Sequence, residues 1–136
     1  MRSRLLRPLQ TGLLIAVGGA GGAALRYAVG TALPGLGGTL LANVTGSFLL
    51  AVLLYDALYT DALAERTRVL FGTGFLSSYT TYSTFAVETT GAPLWVGFLY
   101  VLGSYALGIG AVLVGRRVVM TVMGADAGDG GGTIDD

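Results

Sequence analysis

Eight hydroxyl-bearing side chains follow one another from Ser77 to Thr84, in the order Ser, Ser, Tyr, Thr, Thr, Tyr, Ser, Thr. A hydroxyl donates and accepts hydrogen bonds, and it becomes a nucleophile only when a nearby base takes its proton. The chain has no His and no Cys, which removes the usual neutral-pH base, thiolate chemistry, disulfides and zinc clusters. The run therefore reads as a hydrogen-bonding surface for a small solute, and the chain reads as something other than an enzyme.

Two more polar patterns recur at helical spacing. Thr39, Asn43 and Ser47 stand at i, i+4 and i+8, which stacks them on one helical face. Tyr100, Ser104 and Gly108 repeat the interval. Asn43 suits either an interhelical hydrogen bond or the solvation of an anion by its amide N–H groups. Arg26 suits either a side chain snorkelling to the membrane surface or an anion-attracting vestibule. Gly18, Gly19, Gly21 and Gly22 give a small-residue face for close helix contact. They also spell a weak dinucleotide motif, but no acidic residue occurs between Arg26 and Asp56, so that reading fails.

The elements that carry these residues are set by hydropathy. Of 136 residues, 53% are hydrophobic and 12% charged, whereas a water-exposed surface carries roughly a quarter to a third charged residues. The net charge is zero and every basic residue is Arg, which argues against a nucleic-acid surface. Apolar stretches near the bilayer-crossing length of about 20 residues, uncharged except for Arg26 in the first and Glu88 at the end of the third, predict four spans, at about 9–33, 36–55, 69–88 and 94–115. Pro34-Gly35 marks the first turn, Asp56 to Arg68 a charged loop or short interfacial helix, and Gly91-Ala92-Pro93 the last turn. The basic, then apolar start resembles a signal peptide, but three further spans make it a retained first helix. Residues 1–118 form the membrane domain, and the Gly-rich acidic tail, 119–136, is expected to be disordered. The fold class is all-α integral membrane. The third helix is expected to break at the hydroxyl run, because buried hydroxyls and freed backbone groups are tolerated in lipid where they line a cavity or a broken helix.

The segments GGAGGAALRY (18–27), GTLLANVTGSF (38–48) and GTGFLSSYTTYSTF (72–85) together resemble the CrcB/Fluc family of fluoride channels over roughly residues 14–115. The resemblance implies inverted-topology dimers of four-helix subunits in the cell membrane, passing fluoride passively out of the cytoplasm, with a structural sodium ion at the dimer centre. It implies pore residues Asn43, Phe85 and Tyr82, together with Thr39, Tyr100 and Ser104, and the hydroxyls Thr81 and Ser83 fall in the same signature. Sodium would sit on the backbone carbonyls of Ser77 and Thr80. The sequence departs from the family pattern where Gly-Gly becomes Ser77-Ser78 and where the first pore Phe becomes Tyr82.

A proton-coupled small multidrug transporter is the competing reading, since such chains are also short four-helix proteins. That chemistry needs a Glu within the first span, which here has no carboxylate, and Glu88 lies at the end of span 3. A non-transporting assembly subunit would leave the hydroxyl run unexplained. Arginine is unevenly placed: Arg2, Arg4, Arg7, Arg66, Arg68, Arg116 and Arg117 fall on one side of the expected four-span arrangement, and Arg26 alone near the other. Positive residues face the cytoplasm, so both termini are expected there. One fixed orientation further predicts an inverted partner, a sister subunit related to this chain.

Overall fold

The computed structural model describes residues 2–129, with side chains described for 7–59 and 61–122. Helix α1 (Arg2–Ala32) runs unbroken through Arg26. It stops where Pro34 follows and Gly35 takes φ 75°, a left-handed angle open to glycine. Helix α2 (Leu36–Tyr55) returns and continues as a π-helical stretch, Asp56–Thr60. The charged connection is folded onto itself: Asp56 accepts the Leu63 N–H at 3.1 Å, and Arg68 pairs with Asp61.

Helix α3 (Glu65–Arg68) leads into a second π-helical stretch, Val69–Leu76, and then into α4 (Ser77–Tyr79). The helix fails at Thr80 and Thr81, both in extended backbone, and restarts as α5 (Tyr82–Gly91). The break thus falls inside the hydroxyl run. Helix α6 (Leu94–Asp129) is the longest. Its backbone is helical through residues 119–129, which sequence composition assigns to a disordered tail. Val118, Met120 and Val122 keep the stretch apolar and Val119 is buried, so the helix has reason to continue past Arg116-Arg117. Residues 130–136 lie outside the described residues.

Among the described residues all regular structure is helical. Three stretches, Arg7–Ala32, Leu36–Tyr59 and Leu94–Val122, are long and apolar enough to cross a membrane. The broken third segment is not one such continuous helix. Leu13, Leu94, Trp95 and Leu99 point outward, with Leu94 83% exposed. Apolar surface on this scale would be unfavourable in water and is required against lipid. The protein is therefore a membrane protein.

Helix α2 packs chiefly on α6, and α1 on Val69–Leu76. The second contact is close because α1 presents glycine there: a Cβ at Gly18 or Gly22 would collide with the Leu70 or Phe75 carbonyl. The buried centre, Ala42, Leu76 and Tyr79, lies between these layers. It sets the end of α4 against α2, with the Tyr79 and Thr45 hydroxyls hydrogen-bonded at 2.9 Å.

Candidate functional site

A broken helix strands backbone groups that lipid cannot satisfy. In an unbroken helix the Thr81 N–H would bond the Ser77 carbonyl, and the Thr84 N–H the Thr80 carbonyl. Here the Thr81 N–H donates to Asn43 Oδ1 at 2.8 Å, and Asn43 Nδ2 donates to the Thr81 carbonyl at 3.0 Å. The Thr84 N–H donates to Thr81 Oγ1 at 3.2 Å, so Thr81 is the N-cap of α5. Both diverted donors leave behind the carbonyls of Ser77 and Thr80. Two carbonyl oxygens deprived of their helical donors at one break suit a hard cation, so these residues fit the sodium site that the family resemblance implies.

Three hydroxyls of the run, those of Ser77, Thr80 and Thr81, serve the backbone. Ser77 donates to the carbonyls of Thr73 and Gly74, and Thr80 to that of Leu76 at 2.9 Å. Thr81 donates to Thr84 Oγ1 at 3.1 Å. This back-bonding lets a polar run sit among apolar helices. Unspent donors lie nearby instead. Tyr100 Oη and Ser104 Oγ are buried beside each other and hydrogen-bond to no other group among the described residues, and the Asn43 amide keeps its second N–H.

Asn43 and Ser104 meet along a groove of about 580 Å³ also lined by Ser47, Thr80, Thr81, Tyr82 and Phe85. Phe85 is its aromatic hub. Its ring centroid lies 5.3 Å from Tyr100, 6.0 Å from Tyr82 and 6.4 Å from Tyr105, the last edge-on at 87°. Ring edges are electropositive and faces electronegative, so such a cluster can offer edges to an anion. Tyr82 is 76% exposed, which leaves its ring at the open side.

On the other side of Thr81 a second cavity of about 420 Å³ is lined by Arg26, Thr39, Thr84 and Glu88, with Thr81 shared by both. The Thr39–Asn43–Ser47 stripe thus faces two spaces: Thr39 the cavity, Asn43 and Ser47 the groove. Ser83 lines neither and is exposed. Tyr100 lines neither, reaching the groove through Phe85. Sequence reasoning missed Glu88, Thr84 and Tyr105. Thr84 and Glu88 are spaced i, i+4 and could have been paired, but Glu88 reads as a span terminator and Tyr105 as ordinary apolar lining.

Residues 13–116 match the family described as CrcB-like protein, Camphor Resistance (CrcB). The chain belongs to the CrcB-like family. Similar proteins include the fluoride-specific ion channel FluC 1 of Haloarcula marismortui, 54% identical over 85% of this chain and 91% of its own length. FluC 2 of Halobacterium salinarum is 52% identical over 82% of this chain and 88% of its length. The fluoride-specific ion channel FluC of Oceanobacillus iheyensis is 39% identical over 79% of this chain and 90% of its length. The matched part of this CrcB-like chain contains the whole break, the groove and the Arg26–Glu88 cavity.

Proposed function

We propose that this chain is a fluoride-selective passive channel that lets fluoride leave the cytoplasm and so lowers its toxicity. The observation that carries the reading is the pair of buried, adjacent hydroxyls of Tyr100 and Ser104, bonded to no other group among the described residues and set with the Asn43 amide around Phe85. Fluoride is small and strongly hydrated, so a pore must replace its water with close donors. Two hydroxyls, one amide N–H and aromatic ring edges supply them. Larger halides gain less from such short hydrogen bonds. The names of similar proteins support the same reading.

In this reading the chain crosses the membrane four times, counting the broken α3–α5 segment as one span, with both termini in the cytoplasm. The groove is open along one side, and an antiparallel partner would close it. The arginine asymmetry favours a related sister subunit in the opposite orientation. The Ser77 and Thr80 carbonyls would hold the central sodium, which supplies a fixed positive charge at the dimer centre. Asn43 braces the break from α2, Phe85 sets the ring edges, and Arg26 gathers anions at the cavity.

Growth of fluoride-sensitive cells, lacking their own fluoride exporter, tests the proposal in vivo. Expression of this chain with its sister subunit should restore growth at inhibitory fluoride. Correct membrane insertion without restored growth would count against it.

A further inference from the structure

Arg26 on α1 and Glu88 on α5 face one cavity, together with Tyr27, Thr31, Thr39 and Thr84. Opposite charges sharing so small a space would ordinarily close into a salt bridge. They do not: among the described residues the one ion pair is Arg68–Asp61, and Glu88 Oε2 is buried with no hydrogen-bond partner. A carboxylate oxygen removed from water and left unpaired is unfavourable, so its position asks for another reason. The other ionisable groups that face Glu88 are Tyr27 across the cavity and Tyr100, whose phenol lies within its electrostatic reach. Neither is a cation. Helix α2 contributes Thr39 and no charge.

Resting on the fluoride-channel reading, we propose that Glu88 is a permeation-determining residue that offsets Arg26, so that the cavity attracts fluoride without holding it. An Arg among hydroxyls in a partly dehydrated space is a good anion site, and a good site retains its ion. Conduction needs binding strong enough for entry and weak enough for exit. A carboxylate across the cavity, kept from pairing with the guanidinium, lowers the anion affinity while leaving the guanidinium available. It also disfavours chloride, which would otherwise lodge at the cation and block.

Fluoride flux through proteoliposomes, measured against fluoride concentration with and without chloride, tests this in the assembled channel. Glu88→Gln keeps the side chain's shape and removes its charge. It should lower the half-saturating fluoride concentration by about tenfold, the scale of one unit charge at short range in a partly hydrated site. It should also make the channel sensitive to chloride block. Glu88→Asp should behave as wild type. Arg26→Gln should shift half-saturation the other way, and the double variant should return toward wild type, which a merely structural role would not produce. Wild-type half-saturation and chloride insensitivity in folded Glu88→Gln would overturn the assignment. An unchanged half-saturation in Arg26→Gln, a measurement that does not depend on Glu88 variants folding, would overturn it equally. A wild-type channel that passes no fluoride would instead overturn the underlying channel reading.

Discussion

The Asn43 side chain takes up both backbone hydrogen-bonding groups of Thr81, accepting its N–H at 2.8 Å and donating to its carbonyl at 3.0 Å across 38 residues of sequence. The amide stands in for the helical hydrogen bonds that the break removes. Asn43→Asp keeps the acceptor, loses the donor, and puts a carboxyl group beside the groove. It should lower stability by about 1–3 kcal/mol, the usual cost of stranding a buried polar partner, and cut fluoride flux at least tenfold. Thermal unfolding in detergent and proteoliposome flux check the two effects separately, and full flux would remove Asn43 from the pathway.

Phe85 touches Tyr82, Tyr100 and Tyr105. Phe85→Ile keeps apolar bulk and deletes the ring edge. Flux should fall markedly while the gel-filtration profile of the assembled channel stays the same. Unaltered flux in the folded variant would reduce the ring to packing.

Gly46 lies where α2 passes the break, and a Cβ there would collide with the Thr80 methyl group. Gly46→Ala must therefore push α2 from Thr80 and loosen the Asn43–Thr81 exchange one turn away. A loss of about 1–3 kcal/mol is expected, as for other overpacked sites, and thermal unfolding measures it. Stability equal to wild type would mean that the break yields freely.

If the Ser77 and Thr80 carbonyls hold sodium, replacing sodium by a bulky organic cation on both sides should abolish fluoride flux, and restoring sodium should recover it. Efflux in the two buffers settles this. Equal efflux throughout would show that the break stands without a metal.

Much of this arrangement is legible in the sequence because its causes are local. Uncharged stretches bounded by Arg and Pro-Gly give the helices, and a hydroxyl run that lipid would not tolerate on a regular helix gives the break. The Asn43–Thr81 pairing is not legible. The Thr39–Asn43–Ser47 periodicity places Asn43 on the inner face, but only the register of α2 against α5 shows what it meets. The same limit applies to Glu88, whose charge marks the end of a span equally well whether it faces water or Arg26. Helix α6 overran its expected end because the apolar stretch around Val119 outweighed the Gly-rich composition beyond it.

Above all, the Tyr100, Ser104 and Asn43 donors around Phe85 are proposed to conduct fluoride and exclude chloride. Purified protein, reconstituted into liposomes loaded with both anions, tests it most directly when efflux is followed by ion-selective electrodes. Rapid passive fluoride efflux with chloride retained is the expected result. Equal efflux of both anions, or retention of both, would contradict it.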